Sequence, residues 1–405
     1  MENTQKYLEL EQAYVAHNYH PLPVVLSRAE GPWVWDINGK KYLDCLAGYS
    51  SLNFGHRNER IINRAIDQLG KVTMTSRAFH TDQLGEFAKA LCELTHMDMV
   101  LPMNTGAEAV ESAIKLARHW GYRVKGVEAE KANIIVMAGN FHGRTTTIIS
   151  FSDDPVAKED FGPYTPGFKI APFGDAAAAA ELIDENTVAV LTEPIQGEAG
   201  VIIPDSEFFK GLRKACDDAN VLLIFDEVQS GFCRTGYTFA TEMTGVRPDM
   251  MTLGKALGGG VYPVSAVVGK REIMGTLRPG EHGSTFGGNP LAAAIGHEVC
   301  QMMQEGTYQK AAKERGAEVV SVLETLVRKG IDSYRAMGLW IGVDIDPAVG
   351  TARQMCEELM ERGILAKDTH EKTVRLCPPL CVTEDDTKFL TDAFVASLEA
   401  LKQGK

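Results

Sequence analysis

A chain of 405 residues with 44% hydrophobic and 23% charged residues is long enough for two or three domains and apolar enough for a real core. Its formal net charge of −13 argues against nucleic acid or an anionic membrane as a partner, because both require a basic surface. Any anionic ligand must therefore meet a local positive site.

The chain opens MENTQKYLELEQAYV, with neither the basic n-region nor the apolar h-region of a secretory signal. No apolar run approaches the roughly 20 residues of a membrane helix. Next, Trp33-Val34-Trp35-Asp36 and Asn38-Gly39-Lys40-Lys41-Tyr42 form a hairpin signal with a glycine-containing turn. Helical patterns follow at Glu59–Lys71, Thr81–Thr95 and Ala107–Tyr122. Strand-like runs at Asn133–Ala138, Thr187–Thr192, Val221–Phe225, Met250–Leu253 and Val264–Val268 then alternate with helices, among them Glu207–Asn220 and Pro290–Gln304. The alanine run 176–180 reads as the start of a surface helix. Several of these strands are apolar throughout, as expected for strands covered on both faces of a mostly parallel sheet.

The last third changes character. Long amphipathic helices at Tyr308–Lys329 and Gly350–Arg362 flank a strand Leu339–Asp344, followed by a strand Val374–Leu376 and a helix Glu384–Lys402. The expected division is an N-terminal segment 1–45 packing on a small domain, a large α/β domain 46–299, and a smaller α+β domain 300–405. Eight cysteines are scattered from Cys45 to Cys381 without a CxxC pair. They read as reduced thiols packed as small hydrophobes in a cytoplasmic protein, and no metal site is expected.

Two residues carry the strongest chemical signal. Asp226 ends the apolar run Val221–Phe225, and Lys255 follows Met250–Leu253 and Gly254, ahead of Gly258-Gly259-Gly260. Their separation of 29 residues is close to one β-α-β unit. Both side chains would emerge at the carboxyl edge of a parallel sheet, where ligands bind in such folds. A helix-capping Asp, or a plain buried Lys–Asp ion pair, would produce the same pattern. Thr105 with Glu108 is a capping-box signature, so the N–H groups of Gly106 and Ala107 could face an anion, as could those of many unliganded helix starts. Phe141 and Arg144 in Asn140-Phe-His-Gly-Arg-Thr145, and Glu198 in Glu193-Pro-Ile-Gln-Gly-Glu198, follow strands. On their own they read equally as core and surface residues.

Taken together, these segments resemble the class III (fold type I) pyridoxal 5′-phosphate (PLP) aminotransferases, in order and over nearly the whole chain. Within that family, Asn18-Tyr-His-Pro-Leu-Pro23, Ser76-Arg-Ala-Phe79, Leu101-Pro-Met-Asn-Thr-Gly106 and Gly280-Glu-His-Gly-Ser-Thr285 are similar to the ornithine-using members. The resemblance implies the fold type I architecture: a large, mostly parallel sheet domain with a smaller α+β domain. It implies PLP as cofactor, with Lys255 as the Schiff-base lysine and proton shuttle, Asp226 facing the pyridinium nitrogen, and Gln229 bonding the phenolic oxygen. Phe141 would stack on the ring, and Gly106 and Ala107 would bind the phosphate. Ser284 and Thr285 would reach the phosphate in the other subunit of a homodimer.

The same resemblance implies transfer of the δ-amino group of ornithine to 2-oxoglutarate. Tyr49 and Arg144 would hold the α-carboxylate of ornithine. Arg375 would bind glutamate, and Glu198 would cover Arg375 during the ornithine half-reaction. His80 stands where some members carry a tyrosine near the substrate. The alternatives are acetylornithine or 4-aminobutyrate as substrate, a PLP aminomutase, and a non-catalytic binding protein on the same fold.

Overall fold

The computed structural model describes residues 2–404, with side chains from residue 4. Its centre is a seven-stranded sheet in the order Met99–Met103, Ser265–Gly269, Met250–Leu253, Leu222–Asp226, Thr187–Thr192, Asn133–Met137, Phe168–Ala171. The last five of these are linked by parallel pairings, and Ser265–Gly269 alone runs against both its neighbours.

The apolar strand runs have a direct explanation. Ile135, Met137, Leu223 and Phe225 enter one buried cluster, while Ile134, Val136, Leu222 and Ile224 enter another. Side chains alternate across a strand, so each strand feeds two cores and has no polar face. The expected strand and helix ends fall within three residues of those observed, and Pro290–Gln304 coincides, its start fixed by the Asn289 cap and Pro290 in the first turn.

Elements without a clear pattern in the sequence also appear. Met99–Met103 carries Pro102, which demotes a strand by sequence rules, but it lies at the sheet edge, where proline is tolerated. Phe168–Ala171 forms the other edge. The mixed run Ile331–Met337 pairs with Trp340–Ile345. At the N-terminus, Glu2–Tyr14 is helical and Leu26–Glu30 adds a third strand to the hairpin.

Two smaller sheets complete the molecule. The hairpin strands Trp33–Asp36 and Lys41–Asp44 join Leu26–Glu30 on one side and Ile364–Leu365 on the other, and Trp33 Nε1 donates to Asp386 in the final helix at 3.1 Å. The N-terminal strands thus pair with the C-terminal third. The other sheet has the order Ile331–Met337, Trp340–Ile345, Thr373–Leu376, Lys367–Thr369, with Arg375 on an inner strand opposite Gly342. Among the described residues no helix is long and apolar enough to cross a membrane, and all eight cysteines are free.

Candidate active site

Asp226 is the last residue of its strand, and Lys255 stands two residues beyond the neighbouring one. Both line one cavity of about 180 Å³ with Gly106, Ala107, Phe141, Glu193, Glu198 and Gln229. Most of these follow the carboxyl ends of parallel strands, where the helices that cover the sheet diverge and leave a crevice.

Asp226 is 5% exposed and fully engaged. Its Oδ1 accepts from Thr252 Oγ1 at 2.9 Å and from the Val228 N–H at 3.0 Å, and its Oδ2 meets His142 Nδ1 at 2.6 Å. A carboxylate only accepts, so Nδ1 is the donor, and His142 Nε2 is left buried without a partner. Lys255 is half-buried, with a left-handed φ of 46°, an uncommon conformation for a non-glycine residue and one that persists where its surroundings over-determine it. Burial holds its ammonium below the ordinary lysine range, against the opposing pull of Glu198, Asp226 and Glu193. A lysine shifted in that direction is closer to a neutral, nucleophilic amine.

The start of helix Gly106–Trp120 is prepared as an anion site. Thr105 and Glu108 form the full capping box, and the Glu108 carboxylate also accepts the Asn104 N–H at 2.9 Å. The first-turn N–H groups of Gly106 and Ala107 have no intrahelical acceptor and open into the cavity. A side chain at 106 would meet Val228 Cγ1 at 2.8 Å, so glycine is required for this close approach.

The other end of the cavity is assembled from two sheets. Arg375, its side chain only 4% exposed, donates from Nη1 to Glu198 Oε1 at 2.6 Å, and Gln229 Nε2 donates to the same oxygen at 3.1 Å. Although burial pushes the Glu198 carboxyl up, Arg375 holds it below the usual range. The Arg375 guanidinium lies 5.4 Å from the Tyr49 ring. Tyr49 itself belongs to a run of four left-handed residues, Ala47–Ser50, with φ of 48°, 55°, 57° and 71°. Left-handed backbone costs an L-residue roughly 1–2 kcal/mol, so this turn is strain retained beside a binding surface.

The structure therefore brings Lys255, Asp226, Phe141, Gly106, Ala107, Gln229 and Glu198 to one cavity, with Arg375 joined to it through Glu198 and Tyr49 beside Arg375. It does not bring in the rest. Arg144 is exposed, its guanidinium 5.4 Å from the Phe141 ring. His80 and Thr285 are exposed away from the cavity, and Ser284 Oγ accepts from Asn104 Nδ2 of its own chain at 3.0 Å.

Three residues escaped the sequence reading. Beyond His142, Glu193 accepts the Phe141 N–H at 3.1 Å, and burial, reinforced by Asp226, pushes its carboxyl well up. His282 pins the segment ahead of Ser284 to the helix Gly106–Trp120: Lys115 Nζ can only donate to Nδ1, at 2.8 Å, so Nε2–H donates to Ser112 at 2.9 Å. The available signal was positional for His142 and Glu193, since each lies in a segment following a strand; for His282 it was only its place in the family-like segment Gly280–Thr285.

The comparisons with known proteins agree with this geometry. The family described as Aminotransferase class-III matches residues 14–398. The chain belongs to the class-III aminotransferases. An ornithine aminotransferase of Brevibacillus brevis is 50% identical over 392 residues, 97% of this chain and 98% of that protein. The crystal structure of the ornithine aminotransferase from Toxoplasma gondii ME49 superposes with a TM-score of 0.97 at 39% identity, covering 99% of this chain and 96% of that one. The acetylornithine aminotransferase from Elizabethkingia anophelis gives a TM-score of 0.88 at 41% identity, covering 98% and 99%. This aminotransferase is accordingly a PLP-dependent transaminase. The cavity fits that cofactor on its own terms: it offers a cavity-lining amine with a lowered proton affinity, an immobilised acid, a flat aromatic wall and a helix start with unpaired N–H donors.

Proposed function

We propose that this aminotransferase moves the δ-amino group of L-ornithine to 2-oxoglutarate, giving glutamate and glutamate 5-semialdehyde, which cyclises to pyrroline-5-carboxylate. The observation that carries this reading is the 2.6 Å pair between Glu198 and Arg375. An uncovered Arg375 would draw the α-carboxylate of ornithine and bring the wrong amine to the reacting centre. A covered one leaves that carboxylate to Tyr49 and Arg144. When a dicarboxylate arrives, Glu198 releases Arg375 to it, so one pocket serves both substrates.

PLP supplies the electron sink at the reacting carbon when bound. Lys255 would hold the cofactor and carry the proton to and from the substrate carbon. Asp226, fixed by Thr252, Val228 and His142, would keep the ring nitrogen protonated. Phe141 would stack on the ring, Gln229 would reach its phenolic oxygen, and Gly106 and Ala107 would receive the phosphate.

Ser284 and Thr285 contribute to the second subunit's phosphate site, and His80 belongs near the substrate. Both segments carry an exposed phenylalanine, Phe286 at 50% and Phe79 at 72%, which supports burial in a homodimer. The free thiols fit a cytoplasmic enzyme of arginine metabolism or proline biosynthesis. The division into segments 1–45, 46–299 and 300–405 belongs to the same reading.

A two-substrate panel tests the proposal. Purified enzyme is given ornithine or N-acetylornithine, each with 2-oxoglutarate, and glutamate formation is followed. A higher kcat/KM for ornithine is expected. Preference for the acetylated substrate would overturn the substrate assignment, and turnover without 2-oxoglutarate would point to an aminomutase.

A further inference from the structure

Glu198 and Arg375 come from different sheets, yet their 2.6 Å contact leaves little room for error. Glu198 lies on the tight loop that follows strand Thr187–Thr192, closed by mutual hydrogen bonds between Gln196 and Ile202. This loop is strained. Val201, a β-branched residue, has φ of 59°, and a side chain at Gly197 would collide with Gln229 and Trp340. Left to itself, such a loop would relax.

Two tethers oppose that relaxation, and both come from the small sheet that bears Arg375. Thr369 Oγ1 donates to the main-chain oxygen of Glu198 at 2.7 Å, and Arg335 Nε donates to that of Gly200 at 2.9 Å. Thr369 and Arg335 sit on the two edge strands of this sheet, with Arg375 on an inner one. Thr369 is paired with Thr373 and lies on the same face as Lys367, which is paired with Arg375. The sheet therefore holds the arginine and, through separate hydrogen bonds, the loop that delivers its carboxylate.

We propose that Thr369 is a specificity-determining positioning residue: its hydroxyl holds the Glu198 loop in the place from which the carboxylate can cover Arg375. This inference rests on the reading of Glu198 and Arg375 given above. Arg335 acts alongside it but also neutralises buried Asp344 through a two-pronged pair, so its removal would disturb more than the loop. Thr369 has no such second duty and is the cleaner probe.

The test measures binding of glutarate, a dicarboxylate with no transferable group, to PLP-loaded enzyme by calorimetry. Glutarate needs Arg375 uncovered, so it reports how readily Glu198 withdraws. Losing one hydrogen bond from the covered state should tighten glutarate binding in Thr369→Val by roughly three- to tenfold. The ratio of kcat/KM for ornithine to that for glutamate should fall by a similar factor. Thr369→Ser, which keeps the hydroxyl, should restore both, and Thr369→Ala should match the valine variant. Unchanged or weaker glutarate binding in folded Thr369→Val and Thr369→Ala would overturn the assignment of Thr369. Glu198→Gln separates the two levels. It should tighten glutarate binding on its own; if it does not, the Glu198–Arg375 reading falls and the role of Thr369 falls with it. If only the Thr369 variants are silent, the role of Thr369 alone is lost.

Discussion

The two ends of the active site are built differently. At the cofactor end, Asp226, Glu193, Phe141, His142 and Lys255 stand at or just beyond strand ends of a single sheet, and Asp226 has three donors. At the proposed substrate end, Glu198 sits on a strained loop, Arg375 belongs to another sheet, Tyr49 occupies a left-handed turn, and Arg144 and His80 are exposed. Rigid strand ends suit a chemistry that must be held to fractions of an ångström, whereas selectivity between two substrates needs parts that can shift.

The contrast breaks most visibly at Asp226. If the cofactor end is rigid and shared by both half-reactions, Asp226→Ala should lower turnover with ornithine and with glutamate alike. The expected loss is about 10³-fold, around 4 kcal/mol on the transition-state scale. Single-turnover rates for each half-reaction check this. Near-normal rates would remove Asp226 from the chemistry, and a loss confined to one substrate would contradict a shared cofactor end.

Arg375→Ala should behave in the opposite manner. Removing a charge-assisted clamp should lower kcat/KM for 2-oxoglutarate by about a hundredfold, close to 3 kcal/mol. Ornithine should be affected far less, because its α-carboxylate is assigned to Tyr49 and Arg144. The test is kcat/KM for each substrate. Equal losses for both would erase the division between a fixed end and a selective end.

The same division governs what could be read in the sequence. Asp226 and Lys255 were legible because the strands that present them are apolar on both faces, and a charged residue ending such a run stands out. The Thr105–Glu108 capping box was legible because it is local. Tyr49 was named only through resemblance: nothing in Leu46-Ala-Gly-Tyr-Ser50 announces four left-handed residues, a conformation imposed by the surrounding structure. His142 was passed over because its partner lies 84 positions away. Thr369 gave no signal for the same reason, with 171 positions between it and Glu198. Pairings of that length come from topology, and no pattern of spacing along one strand or helix encodes them.

Glu193 supplies the finest test, because it is a buried acid at the rigid end whose carboxylate has, among the described residues, only the Phe141 N–H as a hydrogen-bond partner. Burial, then Asp226, raises its carboxyl well above the ordinary range, so the folded protein favours the neutral form. The sign follows from linkage. A folded-state value above the unfolded one contributes stability that is complete below the unfolded value and is lost as pH rises through the folded one. Glu193→Gln keeps an oxygen for Phe141 and cannot ionise, so it should remove that loss. In PLP-free protein the variant should melt within error of the parent near pH 4 and about 1–3 °C higher near pH 8, a gain of roughly 1 kcal/mol. Thermal midpoints at the two pH values decide it. An equal shift at both would mean that the ionisation of Glu193 is not what the fold resists. A lower midpoint at pH 8 would mean that its charge is welcome there, with Lys255 outweighing both burial and Asp226.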